Sequence, residues 1–336
     1  MSNCSSNSSV KDFFLIGLPA LQGYEIPLFI VFLSFYLLIL SGNLAIIAVI
    51  AAEKKLHKPM YFFLTNLSVL DILFTTTTIP KMLAMFLVNA KTISHPACFL
   101  QMYCFHSLTV TEAFLLVVMA YDRYEAICNP LHYPVKMTKR MNVQLATSAW
   151  LTALLIPIPV IIETSQLDFQ GRTPVHHCFC DHLSVVRAAC SNSEANLQTF
   201  VGFSIAMTIS IVPLILVIIS YIHIILSVLK TNSKEGQRKA FSTCSSHLIV
   251  VGTYYSSITV AYVSYRANMP TDVQVLSTVA FAILTPLLNP LIYTLRNKEV
   301  KSSLERFVLL RILPDLQNIF LSLSKLGSGE KAAQGL

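Results

Sequence analysis

The sequence has 336 residues, of which 54% are hydrophobic and only 12% are charged, and its net charge is +7. A soluble domain carries about a quarter charged residues, so this composition excludes an ordinary soluble protein. The apolar residues recur in long blocks, each able to cross a bilayer as a helix. An integral membrane protein is therefore predicted. No nucleic-acid partner is expected, because the positive charge is confined to particular connections.

Segment 1–24 is predicted to be a polar N-terminal tail. It does not show, in order, the basic region, apolar core and cleavage site of a secretory signal peptide, so no cleaved peptide is expected. Asn3 and Asn7 each begin an Asn-X-Ser sequon. Both are candidate glycosylation sites, provided that the tail lies outside the cell.

Seven apolar segments follow, and they predict an all-α membrane protein with a seven-transmembrane helix bundle over 25–296. Helices satisfy their own backbone hydrogen bonds in lipid, and the alternating pattern of barrel strands is not evident. A short amphipathic cytoplasmic helix over 297–311 and a cytoplasmic tail over 312–336 are expected after the seventh span. The spans are predicted at 25–51, 59–88, 97–127, 143–162, 197–229, 240–264 and 273–295.

Basic residues predict the orientation of the bundle, because they favour the cytoplasmic side. They concentrate in the first, third and fifth connections and after the seventh span, whereas the other connections hold few. The N-terminus is therefore predicted to be extracellular and the C-terminus cytoplasmic, in a multi-pass protein of the plasma membrane. This orientation puts the charged stretch MAYDRYEAIC, 119–128, at the cytoplasmic end of the third span.

Four cysteines fall on the predicted outer side: Cys98, Cys178, Cys180 and Cys190. Extracellular loops meet an oxidising environment, so a disulfide from Cys98 to the loop cluster is expected. A second bridge, such as Cys178 with Cys190, could use the remaining two. The connectivity itself does not follow from the sequence.

Two carboxylates are predicted at mid-membrane depth. Asp71 and Glu112 both fall roughly 16–18 Å from the cytoplasmic boundary at 1.5 Å per residue. They are candidates for a shared cation such as Na⁺, or for a shared proton. Asn43 and Asn289 are the expected polar neighbours. The alternative interpretation is that both carboxyl groups are protonated or hydrogen-bonded packing residues.

Two stripes at helical spacing predict a ligand pocket in the outer half of the bundle. Its aromatic and aliphatic walls with a few hydroxyls suit a compact, mostly apolar ligand, although such stripes also simply pack helices. No acidic residue lies in the outer part of span three, so an amine-pairing site is not indicated. Phe105 and His106 are neighbours on the helix and are not both expected to point fully inward. The stripes are Met102, Phe105, His106 and Thr109 on span three and Tyr255, Ile258, Thr259 and Tyr262 on span six.

The outer loop contains HHCFCDH, 176–182, whose imidazoles and thiols are ligands for copper or zinc. Disulfide bonding would remove the thiolates, so loop structure is the favoured interpretation. No glycine-rich phosphate loop, HExxH or GxSxG motif occurs. An enzyme is therefore not predicted, and no cofactor is expected.

Long ordered motifs resemble one family. They are GN at 42–43, LHKPMYFFLTNLSVLD at 56–71, MAYDRYEAICNPLHYP at 119–134, KAFSTCSSH at 239–247 and PLLNPLIYTLRN at 286–297. In these the chain resembles the vertebrate olfactory receptors, a branch of the rhodopsin-like class A G-protein-coupled receptors. The resemblance implies a small volatile odorant as ligand, membrane lipid as environment, and a stimulatory heterotrimeric G protein of the olfactory type whose activation raises cyclic AMP.

The resemblance also implies roles for particular residues. Cys98 is implied to bridge to Cys180, Tyr262 to contact ligand, and the H-x-x-C-D pattern of the outer loop is similar to one proposed for metal-assisted odorant sensing. The switch residues are Asp122, Arg123 and Tyr124, which resemble the DRY motif, and Asn289, Pro290 and Tyr293, which resemble NPxxY. With Pro286, Pro290 also predicts a kink in span seven, either a hinge or a static bend.

Glu125 departs from the family, which usually has valine there. It lies three residues from Asp122, so it is expected to add negative potential near Arg123 and to compete for it. Tyr254-Tyr255-Ser256 replaces the usual FYG in span six.

The alternative function from another class is a cation-coupled transporter using Asp71 and Glu112, although no internal repeat of the transporter kind is present. A receptor for a non-volatile metabolite is a third reading.

Overall fold

The computed structural model describes residues 12–169, 173–190, 193–230, 233–267 and 269–307. Within these residues, seven stretches of helix are long and apolar enough to cross a membrane, which confirms the predicted seven-helix bundle. The helices are α1 Glu25–Ala52, α2 Pro59–Val88, α3 His95–Cys128, α4 Tyr133–Lys136, α5 Lys139–Leu155, α6 Ile158–Ser165, α7 His182–Ala188, α8 Ser193–Leu229, α9 Lys234–Arg266, α10 Thr271–Arg296 and α11 Lys298–Phe307.

The fourth span is two helices, α5 and α6, rather than the single segment expected from the sequence. The break falls at Ile156 and Pro157. Proline has no backbone N–H to donate to the preceding turn, and it is well tolerated at the first position of a new helix. The two prolines at 157 and 159 therefore end α5 and begin α6.

A three-stranded sheet covers one end of the bundle. Its middle strand, β1 (Asp12–Leu15), pairs antiparallel with β2 (Thr92–Ser94) and parallel with β3 (Thr173–Val175). Phe13 and Leu15 are fully buried. Segment 1–24 is therefore not only a polar tail, because it contains a strand that packs into the protein. Asn3 and Asn7 lie outside the described residues, as does the predicted tail 312–336.

A disulfide joins Cys98 to Cys180, with 5.4 Å between the two Cα atoms, and it lies beside the sheet. The end of the bundle that carries it is called the disulfide end below, and the opposite end the Arg123 end. The predicted bridge between Cys178 and Cys190 is wrong, because Cys178 is a free, buried thiol while Cys190 is disulfide-bonded. Burial and the nearby charge of Asp272 raise the pKa of the Cys178 thiol to about 12.

Helix α11 follows α10 at the Arg123 end and is tied back to the start of α2. Lys58 Nζ lies 2.8 Å from a carboxylate oxygen of Glu299, and the Tyr61 hydroxyl donates to the same oxygen at 2.8 Å. The Asn297 side chain accepts from the backbone N–H of Glu299 at 3.0 Å, which caps α11. These contacts fix the direction in which the chain leaves the seventh span.

Pro290 makes a close packing contact in the seventh span. A Cβ atom on Gly42 would lie 3.3 Å from the Pro290 side chain, so glycine lets α1 and α10 approach closely. Nearby, Asn43 Nδ2 donates to the Pro286 carbonyl at 3.2 Å. The middle of α10 is thereby held against α1.

Candidate functional site

A cavity opens between α3, α6, α8, α9 and α10 near the disulfide end. Its empty volume is about 980 Å³, part of which is open to solvent. The walls are mostly apolar, with Val110, Val160, Ile161, Phe203 and Ile205 among them. Such a lining suits a compact, mostly apolar molecule.

Five of the eight residues predicted for the pocket line this cavity: Phe105, His106, Thr109, Ile258 and Tyr262. Met102 is fully buried but does not belong to the wall. Tyr255 is buried behind the wall, with its ring 4.9 Å from that of Tyr254. Thr259 is exposed on the outside of the bundle, so its assignment to the pocket is wrong.

Phe105 and His106 both line the cavity, and each faces a different part of it. The two rings diverge and are 5.4 Å apart at nearly a right angle. Phe105 packs on Phe74 of α2 at 5.0 Å between ring centres, whereas His106 faces Asp181. Helix α3 runs through the middle of the bundle, so two adjacent positions face different parts of the interior.

The stripe on α9 begins one residue earlier than expected. Tyr254, Ile258, Ala261 and Tyr265 recur at intervals of three and four and line the cavity. The Tyr254 hydroxyl donates to the Thr109 carbonyl at 3.0 Å and so ties α9 to α3. Residues spaced three and four apart in the sequence lie on one face of a helix, and this spacing indicates the lining face of α9.

Asp181 and His182 also line the cavity, although neither was predicted there from the sequence. Asp181 Oδ1 lies 3.9 Å from His106 Nε2, and its Oδ2 lies 3.5 Å from the Tyr265 hydroxyl. His182 Nε2 lies 3.1 Å from Thr164 Oγ1. An acidic group therefore reaches the cavity from the loop, although α3 itself supplies none there.

No metal cluster is formed by the loop histidines and cysteines. Among the described residues, no three His, Cys, Asp or Glu side chains are grouped to hold a metal ion. Cys180 is consumed by its disulfide, and His177 Nδ1 accepts a hydrogen bond from the Phe179 N–H at 3.2 Å. Burial lowers the pKa of His177 and of His182 to about 4, so both rings are neutral at pH 7.

Gly202 of α8 makes room for His182. A Cβ atom on Gly202 would overlap Cε1 of the imidazole and lie 2.9 Å from its Nδ1. The absence of a side chain at 202 therefore lets the loop residue enter the cavity wall.

The two predicted mid-membrane carboxylates do come together, and both are fully buried. Asn289 Nδ2 lies 3.2 Å from each carboxylate oxygen of Asp71 and 3.4 Å from Glu112 Oε1. Glu112 Oε2 and Asn289 Oδ1 have no hydrogen-bond partner. Oxygen atoms with unused lone pairs are the ligands that hard cations prefer, so the residues fit a small cation. They equally fit a proton shared between the carboxylates.

At the Arg123 end, Asp122 holds two partners. Arg123 Nη2 lies 2.7 Å from Asp122 Oδ2, and the Tyr133 hydroxyl donates to Oδ1 at 2.8 Å. Tyr124 stacks on Tyr121, with ring centres 6.4 Å apart. Tyr293 is buried and borders, together with Arg123, an open cavity at this end. Arg123 of the DRY-like stretch and Tyr293 of the NPxxY-like stretch thus border the same cavity.

Glu125 does not compete for Arg123. Its carboxylate oxygens each lie 3.0 Å from Lys136 Nζ, and one accepts from Asn129 Nδ2 at 3.1 Å. The competition expected from the sequence is therefore not what the contacts show.

His247 connects three helices of the bundle. Its Nδ1 lies 2.8 Å from the Tyr221 hydroxyl of α8, and its Nε2 lies 3.1 Å from the Leu116 carbonyl of α3. One side chain thus joins α3, α8 and α9 below the cavity. The only signal in the sequence was its place in the KAFSTCSSH motif.

Comparison with known proteins agrees with this geometry. The family model for olfactory receptors matches residues 32–311. The human olfactory receptor 2AT4 is 59% identical over 297 residues, which cover 88% of this chain and 92% of the relative. The human olfactory receptor 6N1 is 44% identical, covering 89% and 95%, and the mouse olfactory receptor 6B9 is 42% identical, covering 90% and 95%. The chain therefore belongs to the olfactory receptor family of class A G-protein-coupled receptors: it is a multi-pass plasma-membrane receptor and not an enzyme.

Proposed function

We propose that the odorant binds in the cavity near the disulfide end and that the response leaves the protein at the Arg123 end. Phe105, His106, Thr109, Ile258 and Tyr262 are the proposed ligand contacts on the helices. The disulfide end is extracellular and the Arg123 end cytoplasmic, an orientation supported by the distribution of basic residues. Asn3 and Asn7 are then extracellular glycosylation sites.

The observation that carries the proposal is that α9 is bonded to α3 at two levels. Next to the cavity, the Tyr254 hydroxyl donates to the Thr109 carbonyl. Closer to Arg123, His247 bonds the Leu116 carbonyl. A ligand that alters the hydrogen bond between Tyr254 and Thr109 changes how α9 packs on α3. The hydrogen bond between His247 and Leu116 carries that change toward Arg123. Ligand binding thus favours one of two arrangements of the bundle.

The output is the release of Arg123 from Asp122 and its engagement with a stimulatory heterotrimeric G protein of the olfactory type, which raises cyclic AMP. Tyr124, Asn289, Pro290 and Tyr293 take part in the switch. Support comes from the open cavity that Arg123 and Tyr293 border and from the resemblance of these motifs to those of the family.

Asp71 and Glu112 are proposed to hold a small cation, with Asn289 bridging them. The unpartnered oxygen atoms of Glu112 and Asn289 support this role. The site lies between the ligand cavity and the Arg123 end, so its occupancy would bias the two arrangements of the bundle. Use of the same residues for coupled transport is not favoured, because the family match is to receptors.

Cyclic-AMP production in cells exposed to an odorant panel tests the proposal. The response to an active odorant should be abolished in Arg123→Ala and retained in Arg140→Ala, since Arg140 is an exposed basic residue at the same end. Both variants are compared at equal surface expression. Odorant-dependent ion flux without any cyclic-AMP response would overturn the proposal. Glycosidase treatment tests the orientation: it should increase the gel mobility of the unaltered chain but not that of the Asn3→Gln, Asn7→Gln double variant.

A further inference from the structure

The cavity near the disulfide end has one polar corner, where Asp181 and His106 meet. Asp181 directly follows Cys180, whose sulfur is bonded to Cys98 and whose N–H donates to Gln101 Oε1 at 3.0 Å. Both contacts fasten this part of the loop to α3. The carboxylate is therefore held in place in the wall, on a backbone that has little freedom to withdraw it.

The Asp181 carboxyl group has few partners inside the protein. Asp181 is 7% exposed, and its closest partner is the Tyr265 hydroxyl at 3.5 Å, the outer limit of a hydrogen bond. Within the described part of the chain, neither a lysine nor an arginine forms an ion pair with it. Arg187, which follows on α7, instead donates to Gln274 at 2.8 Å and lies over the Tyr265 ring.

The surrounding histidines do not place a positive charge beside Asp181. His177 and His182 are neutral at pH 7, since burial lowers the pKa of each. His106 Nε2 stands 3.9 Å from Asp181 Oδ1, too far for a direct hydrogen bond, and has no other partner. The corner thus combines an under-satisfied acceptor with an unpartnered imidazole nitrogen.

An ionised carboxylate accepts hydrogen bonds and donates none. A buried acceptor is costly when it lacks a partner, so a ligand group beside Asp181 is favoured only if it donates. A methyl ether or a carboxylate has no proton to donate, so its oxygen lone pairs would face those of the Asp181 carboxylate and repel them. The rest of the wall is apolar and favours hydrocarbon.

From this geometry we propose that the receptor takes mostly apolar ligands carrying one hydrogen-bond donor, a hydroxyl or an amino group, that donates to Asp181 beside His106. The proposal rests on the assignment of this cavity as the odorant site and names the class of ligand that it selects. Asp181 acts as a specificity-determining residue in contact with the ligand.

Matched compounds on one apolar skeleton test the proposal: cyclohexylmethanol, cyclohexylmethylamine, cyclohexylmethyl methyl ether and cyclohexanecarboxylic acid, with the same four groups repeated on several larger skeletons. Binding is measured as the rise in melting temperature of the purified full chain in lipid nanodiscs, and response as cyclic AMP in cells. The alcohol or the amine should bind at least about tenfold more tightly than the ether and the acid, as expected for a hydrogen bond to a charged acceptor.

Comparison of the alcohol with the amine shows which hydrogen-bond donor the site prefers. Preference for the amine at pH 7 identifies a charged pair with Asp181, and preference for the alcohol identifies a neutral donor. Equal binding of alcohol and ether, or a panel in which neither alcohols nor amines bind, would overturn the proposal. Since these results come from the unaltered chain, they hold even if a variant fails to fold.

Asp181→Asn sharpens the test, because an amide both donates and accepts. The variant should lose the discrimination between alcohol and ether, whereas Ile258→Ala, which changes an apolar part of the wall, should weaken all four compounds alike. Unchanged discrimination in Asp181→Asn would contradict the role of its carboxylate. Binding without an Arg123-dependent cyclic-AMP response would instead contradict the proposed function and leave the ligand class standing.

Discussion

Lys136 and Glu125 form an ion pair in which Lys136 Nζ lies 3.0 Å from both carboxylate oxygens. The Glu125 side chain is 3% exposed, and its hydrogen bond raises the pKa of the exposed Lys136. Because Lys136 is the last residue of α4, the pair anchors that short helix to the end of α3. The contact between Tyr133 and Asp122 is a second anchor for the same helix.

Replacing Glu125 with the valine usual in the family should weaken the response and leave the basal signal unchanged. The valine variant loses the anchor of α4 but no contact of Arg123. Solvent screens the charge of the exposed Lys136, so the pair is weak and we expect at most about a fivefold loss of odorant potency in the cyclic-AMP assay. Lys136→Ala should reproduce the loss. A raised basal signal in Glu125→Val would show instead that Glu125 restrains Arg123.

Gly202→Ala should reduce the response to odorants at normal surface expression. The added methyl group occupies the place of the His182 imidazole, which must then leave Thr164 and the cavity wall. The imidazole is a movable side chain, so helix α8 itself should remain intact. We expect a loss of potency of roughly tenfold, equivalent to one lost charged or buried hydrogen-bond contact.

Gly252→Ala is the matched control, since a Cβ atom there meets nothing within 4 Å. It should be neutral or slightly stabilising, as alanine is favoured over glycine inside helices. If the steric account is correct, the double variant Gly202→Ala, His182→Ala should respond no worse than His182→Ala alone. An additive loss in the double variant would contradict it.

Features that depend on neighbours in sequence could be predicted, and features that depend on the folding of loops could not. The pairing of Arg123 with Asp122 is local, and the meeting of Asp71 with Glu112 followed from counting residues along two helices. Asp181 was missed because its place in the wall depends on how the loop around it folds, which the disulfide of the neighbouring Cys180 does not specify. The offset between Tyr254 and Tyr255 shows another limit, since one residue along a helix turns a side chain by about 100°.

Acidification from pH 7 to pH 5 should lower the melting temperature of the purified receptor. Burial lowers the pKa of His177 and His182 from 6.5 to about 4 in the folded protein. Between these values the unfolded chain binds protons that the folded chain does not, so stability present above pH 6.5 is lost as the pH falls. At pH 5 the loss is about 2 kcal/mol for each histidine.

His177→Gln and His182→Gln should each flatten the dependence of melting temperature on pH. His132→Gln is the control, because His132 is exposed and lies in the connection between α3 and α4. The prediction fails if all three variants keep the slope of the unaltered chain.

Sodium should stabilise the receptor through Glu112 and Asp71. A ligand that binds only the folded state raises its stability in proportion to the logarithm of its concentration, so the melting temperature should be higher in NaCl than in choline chloride at equal ionic strength. Glu112→Gln removes a charge while keeping the shape and should abolish the difference, whereas Glu163→Gln on α6, where the acid is exposed and bonded to Gln198, should retain it. Equal melting temperatures in the two salts would reject the cation and favour a proton shared between the carboxylates. In that case Glu112→Gln should itself stabilise the protein, because it removes one of two buried carboxyl groups that repel each other when both are ionised.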